Sequence, residues 1–296
     1  MKNLRKCFAA VFIAAVFAAA GCNASQEQQT AAISAGTEQT ADSVIGTEQT
    51  ADSVSVTEQT TAAEAEEYPK GENSVRTAEE LAGKKVIALT FDDGPNTGVT
   101  NEILDVVEQY GIKVSFYVIG QNINAESAKA MQRAHSLGCE INSHSYTHSY
   151  MDKMSADEIK EEMDKTAELI YEYVGEYPKF FRPPYIAVNS TMYEAIDLPF
   201  ICGIGCNDWD SKVSVEKRVR FMTEKCPDGC IILMHDADGN ENTAEAVRQA
   251  VPMLLEQGYE FVTTEELFIA KGITPASDRE VIYSYATDSG WQAQGA

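Results

Sequence analysis

The chain has 296 residues, 44% of them hydrophobic, and carries 46 acidic against 23 basic side chains for a formal net charge of −23. It holds enough apolar sequence for a substantial core, but so acidic a surface repels phosphate polymers and anionic headgroups, which argues against nucleic-acid binding and electrostatic docking on membranes. The expected substrate is neutral or cationic.

The basic opening "MKNLRK" and the apolar run "CFAAVFIAAVFAAAGC" form a secretion signal. The run falls short of the roughly 20 apolar residues of a membrane span. Ala19, Ala20 and Gly21 before Cys22 resemble a bacterial lipoprotein cleavage box, although Ala19 stands where a leucine is usual. Residues 1–21 are therefore read as a lipoprotein signal peptide and Cys22 as the lipidated residue, with an ordinary signal peptide as the alternative. The protein is expected outside the cytoplasm, on the outer face of the bacterial cell membrane, touching it only through the lipid. Residues 22–69 are polar and acidic, with near copies "GTEQTADSVI" and "GTEQTADSVS". Each copy holds too few large apolar residues to bury a core, so the segment reads as a disordered linker, roughly 40 Å end to end as a flexible coil.

Residues 70–271 alternate strand-like apolar runs with amphipathic helical patterns. Seven strands are expected: "KVIALTF" from Lys85, "KVSFYVIG" from Lys113, "CEINSH" from Cys139, "KFFRPPY" from Lys179, "FICGIG" from Phe200, "CIILMH" from Cys230 and "YEFVTT" from Tyr259. The clearest helix starts after Ser155, whose capping-box partner is Glu158, and stops at Gly175. Strict alternation predicts an α/β fold with a parallel sheet, and seven units favour a distorted (β/α)7 barrel over an open doubly wound sheet. In such a barrel the strand C-termini share one face. Asp92 and Asp93 close the first strand, His144 the third, Arg182 the fourth and His235 the sixth, and Asp208 follows the fifth. All six are expected at one mouth.

"HSYTH" places His144 and His148 four residues apart, able to meet one metal ion if the segment turns helical. A carboxylate from the Asp-Asp pair would complete a two-histidine, one-aspartate set with positions left open. Asp93 is the expected ligand, and Asp92 the general base that takes a proton from water beside the ion. The plain alternative is an Asp-Asp-Gly-Pro turn with carboxylates capping backbone amides.

"TFDDGP", "HSYTH", "RPPY", "DW" and "ILMH", in that order, resemble the five motifs of the NodB-like polysaccharide deacetylases, carbohydrate esterase family four. The resemblance covers about residues 84–270 and implies a distorted seven-unit barrel that removes N-acetyl or O-acetyl groups from polysaccharides with a divalent metal, zinc first and cobalt, nickel, manganese or iron as options. By matching position it makes Asp92 the base, Asp93, His144 and His148 the ligands, and Arg182 the residue orienting the base. It makes His235 the acid that protonates the leaving group and Asp208 the carboxylate holding that histidine. The backbone N–H of Tyr185 would bind the oxyanion, and Trp209 and Leu233 would wall the acetyl-methyl pocket. Two positions depart from the pattern: Ile186 replaces the glycine that commonly follows "RPPY", and Gly205 replaces an aspartate three residues before Asp208.

These features predict a monomeric deacetylase acting on N-acetylglucosamine units of a cell-wall or extracellular glycan. The alternatives are an O-acetyl esterase of xylan type and a surface lipoprotein that binds glycan without turnover. His135 is expected at a helix C-terminus with no catalytic role. The five cysteines from Cys139 to Cys230 cannot all pair, and Cys226 and Cys202 compete for Cys230. The tail, residues 272–296, is expected as a loose end or a strip packed on the barrel.

Overall fold

The computed structural model describes residues 68–287. The signal segment, Cys22 and the repeats lie outside the described residues. Among those described, no helix is long and apolar enough to cross a membrane.

The first strand, β1 (Lys85–Asp92), is the centre of the fold and is buried from its second residue onward. A strand covered on both faces reads as a continuous apolar run, as "VIALTF" does. β1 pairs in parallel with β2 (Ser115–Val118) and β5 (Ile231–His235), its N-terminal half pairs with β6 (Tyr259–Phe261), and β2 continues to β3 (Glu140–Ser143). The expected fourth strand shrinks to Phe181, which makes one-residue parallel bridges to Ser143 and to Phe200. Pro183 and Pro184 lack the N–H groups that would extend it. Phe200 opens the short β4 (Phe200–Ile201), and a further bridge from Ile204 to Ile232 closes the ring on β5. The result is a distorted barrel.

Among the described residues, seven α-helices pack outside it: α1 (Val99–Tyr110), α2 (Ser127–Ser136), α3 (Ala156–Val174), α4 (Ser190–Ala195), α5 (Val215–Lys225), α6 (Glu241–Glu256) and α7 (Thr264–Ala270). The Ser155–Glu158 capping box is present on α3, and Gly175 ends it in the left-handed region at φ 77°. The strip after residue 280 belongs to the barrel: β7 (Ile282–Tyr283) runs parallel to β4, and Tyr283 is buried against Phe268. Among its described residues, Tyr283 is buried and Tyr285 half-buried.

Period-2 alternation sorts β1 between two cores. Ile87, Leu89 and Phe91 face the helices, whereas Val86 and Ala88 pack with Tyr117, Ile201 and Ile231 in the barrel. Thr90 and Asp92 continue the inward series toward the mouth. The register aligns Asp92 with Tyr117 on one side and His235 on the other. Two chemically important residues 143 positions apart in sequence are thereby level on adjacent strands.

Candidate active site

Asp92 and Asp93 would point to opposite faces if β1 continued regularly. The strand ends instead, and Asp93 takes φ 79°, which turns its carboxylate toward the same mouth. Among the described residues, six non-glycine positions have positive φ: Asp93, Ser145, His148, Tyr185, Ile186 and Asn207. Five of them line one cleft of about 580 Å3, and Ser145 adjoins His144 behind it. Such backbone persists where surrounding structure enforces it, and here it clusters around the polar residues of the mouth.

Asp92 is almost wholly buried, and its Oδ1 accepts from Arg182 Nη1 at 2.5 Å. Arg182 is fully buried, donates through Nη2 to Thr90 Oγ1 at 2.9 Å, and stacks over the Tyr117 ring at 4.0 Å. Thr90 in turn donates to the Ile232 carbonyl. The guanidinium is thus held on three sides. Asp92 Oδ2 faces the cleft, 3.6 Å from His144 Nε2.

His144 donates from Nδ1 to the Arg182 carbonyl at 2.7 Å, which leaves the Nε2 lone pair directed at Asp93. Asp93 Oδ1 lies 3.5 Å from His144 Nε2 and 3.4 Å from His148 Nε2. That buried oxygen has no hydrogen-bond partner. The three donor atoms all lie within 4.8 Å of one another. An unpaired oxygen between two imidazole nitrogens, each beyond good hydrogen-bond distance, fits the ligand set of one divalent cation. Burial acts to raise the Asp93 pKa, but His144 and the other imidazoles outweigh it and hold the carboxyl down at about 2. Burial pushes His148 toward its neutral, ligating form.

The segment joining the histidines does not turn helical. Left-handed residues at Ser145 and His148 fold it back, and the nearly buried Glu162 clamps it by accepting from the Tyr146 and Thr147 amides at 2.9 and 2.8 Å and from the Thr147 hydroxyl. Glu162 lies on the buried face of α3. Its place in an apolar helical stripe was the available signal.

Opposite Asp92, His235 donates from Nδ1 to Asp208 Oδ1 at 2.8 Å, and its backbone N–H donates to Oδ2. Burial alone would lower the His235 pKa, but the Asp208 hydrogen bond and charge reverse this and raise it to about 9. The ring is therefore protonated at neutral pH, with Nε2–H available as a proton donor. Thr243 donates to Asp208 Oδ2 at 2.7 Å, and the fully buried Arg218 donates to both Thr243 and Asn240. Those supports came from helices without motif-like sequence.

Tyr185, Trp209 and Leu233 line the cleft. The Tyr185 amide makes no hydrogen bond among the described residues, and its ring stacks on Tyr150 at 4.1 Å and meets the His148 ring at a tilt, 4.7 Å between centroids. Trp209 is 65% exposed, which puts it on the rim. Ile186 keeps a left-handed φ of 55°, where glycine would be unstrained. A Cβ on Gly205 would meet the Leu233 carbonyl at 3.0 Å, so an aspartate there would require β5 to shift. Asn207 also faces the cleft, a residue that sequence alone did not single out.

His135 sits away from the mouth, near the end of α2, buried 3.3 Å from Glu176. None of the five cysteines among the described residues is in a disulfide, so neither proposed pairing is formed.

The family model described as polysaccharide deacetylase matches residues 79–200. A bifunctional xylanase/deacetylase of Pseudobutyrivibrio xylanivorans is 50% identical over 65% of this chain and 32% of its own length. The peptidoglycan-N-acetylglucosamine deacetylase PgdA of Listeria monocytogenes serotype 1/2a is 36% identical over 62% of this chain and 39% of its own length. The chain thus spans a third to two fifths of those two relatives. The crystal structure of a family 4 acetyl xylan esterase from Clostridium thermocellum, in complex with a cobalt ion, superposes with a TM-score of 0.67 at 38% identity, covering 69% of this chain and all of that one. With its five motifs converged on one cleft, the chain belongs to the polysaccharide deacetylases of carbohydrate esterase family four.

Proposed function

We propose that the protein hydrolyses acetyl groups from polysaccharide, with O-acetylated xylan as its first substrate. The observation that carries the reaction is the facing of two charged pairs, the buried Arg182–Asp92 and the partly exposed Asp208–His235, across the Asp93, His144 and His148 cluster. The xylan assignment is supported by the 50% identical xylanase/deacetylase and by the acetyl xylan esterase of matching fold.

Asp93, His144 and His148 would hold a divalent ion, which when bound would supply Lewis-acid polarisation and lower the pKa of water. Arg182 fixes Oδ1 of Asp92, so Oδ2 takes the proton from water in the cleft. The free Tyr185 amide faces the oxygen on which negative charge develops. Protonated His235 then gives its Nε2 proton to the departing sugar oxygen or nitrogen. Leu233 and the rim ring of Trp209 flank the acetyl methyl.

A second reading, N-acetylglucosamine deacetylation, is favoured by that same acid pair. An amine leaves only with a proton, whereas an alkoxide depends on it less, so an intact Asp208–His235 pair suits amides as well. It also matches the substrate named for PgdA. Acetate release from acetylated xylan, N-acetylglucosamine oligomers and peptidoglycan, with chelator and with Asp92→Asn, separates the readings. Release from none of them by metal-loaded protein would leave only glycan binding without turnover.

Placement outside the membrane on a lipidated Cys22 is supported by the leader sequence. Incorporation of labelled fatty acid that vanishes in Cys22→Ser tests it.

A further inference from the structure

The lysines of this acidic protein are mostly neutralised. Lys84, Lys113, Lys129, Lys153, Lys160, Lys165, Lys179 and Lys271 each lie against a carboxylate. Lys70 bonds a carbonyl, and Lys85 covers the Tyr259 ring. The remaining described lysines, Lys212, Lys217 and Lys225, have no hydrogen bond or ion pair through Nζ among the described residues, and all three come from the stretch that enters and forms α5. Chance pairing in a chain with twice as many acids as bases does not favour three bare ammonium groups in fourteen residues.

Two of the three, Lys217 and Lys225, line a groove of about 540 Å3. It shares Asn207 with the catalytic cleft, so the two adjoin at that residue. Arg220 also lines it, as does Glu224, which sits 3.5 Å from that arginine and leaves the lining two positive charges in excess. Half-buried Phe221 supplies an apolar surface between the cations. The cleft itself carries Asp92 and Asp93, so the sign of charge reverses on passing Asn207.

We infer that this groove is a subsite for a carboxylate carried by the glycan beside the acetylated sugar, bound by Lys217 and Lys225 with the sugar ring against Phe221. The inference deepens the polysaccharide deacetylase reading and rests on it. Neutral sugars offer the two ammonium groups only uncharged hydroxyl acceptors, whereas a glycan carboxylate gives charge-assisted hydrogen bonds and neutralises their charge. That chemistry has two sources: a uronic acid substituent on xylan, or the lactyl and peptide carboxylates of peptidoglycan.

The test compares kcat/KM on matched pairs: acetylated xylo-oligosaccharides with and without a uronic acid, and N-acetylglucosamine oligomers against muramoyl-containing ones. Two exposed ammonium groups at ordinary surface strength correspond to about a fivefold to tenfold preference for the acidic member at low salt. The preference should shrink at about 0.5 M salt. It should vanish in Lys217→Ser/Lys225→Ser and survive in Lys217→Arg/Lys225→Arg. The pair showing the preference identifies the source. Turnover of neutral members with no preference in either pair overturns the subsite and leaves the deacetylase reading standing. If no substrate releases acetate, that reading fails, and calorimetric titration with the deacetylated oligosaccharide pairs decides the subsite by itself: tighter binding of the acidic member that the serine variant loses supports it, and equal Kd values refute it.

Discussion

Replacing Asp208 with Asn removes the charge that sets the protonation of His235 while keeping the side chain's size. The ring rises from the ordinary 6.5 to about 9, with burial opposing and the Asp208 contact driving the rise. That distance corresponds to about 3 kcal/mol favouring the protonated ring. Because the folded value lies above the unfolded one, the stabilisation is complete below pH 6.5 and is lost as pH rises through about 9. Wild type should therefore lose up to about 3 kcal/mol of stability across that window. The variant should lose little there and be weaker at pH 6, since three donors, from His235 twice and Thr243, converge on a group with a single acceptor oxygen. Catalysis should follow the same titration. The alkaline limb of kcat, near pH 9 in wild type, should move toward 6.5 in Asp208→Asn, with amide turnover at pH 8 falling about 10²- to 10⁴-fold. Urea unfolding at pH 6 and 9.5, with a kcat–pH profile on paired amide and ester substrates, measures both. An alkaline limb that stays in place in the variant would refute the assignment of His235 as the acid tuned by Asp208.

Asp93→Ala should abolish stoichiometric metal retention after gel filtration, read by elemental analysis, because two imidazoles alone leave the set incomplete. Glu162→Gln loosens the turn that aims His148, and metal affinity should fall about 10- to 100-fold while the fold survives, read by competition with a chromophoric chelator. Arg182→Met leaves Asp92 buried without its partner and should cost about 3 to 5 kcal/mol as well as activity, measured by denaturant melting; an unchanged midpoint would show the pair to be dispensable. Tyr283→Ala in β7 should destabilise the domain by about 3 to 5 kcal/mol, whereas a tail not integral to the barrel would tolerate it.

What could be read from the sequence were local patterns with a fixed period or a chemical signature. The apolar run before Asp92, the Ser155–Glu158 cap and the stop at Gly175 act over a few residues, and each appears where its pattern places it. The convergence of Asp92, His144, Arg182, Asp208 and His235 was also legible, because parallel strands open on one face whatever their detailed packing. The strand expected at Lys179 failed because a ladder depends on its neighbours: two prolines and a bridge at Phe181 leave room for little more. The tail strand was illegible for the converse reason, since Ile282 and Tyr283 become strand only by lying beside β4.

Only the tertiary structure decided how the site is held. Glu162 reaches the histidine turn from α3, Arg218 and Thr243 brace Asp208 from α5 and α6, and Asn207 joins the cleft to a groove lined by unpaired lysines. Apart from Glu162, which stands in the apolar stripe of α3, none of these residues forms a pattern with its sequence neighbours. Their partners lie 15 to 35 positions away. The sequence by itself determined which groups are available for chemistry and which strand ends carry them. Their charge states and supports depend on burial and on contacts between distant segments, which exist only once the barrel has closed.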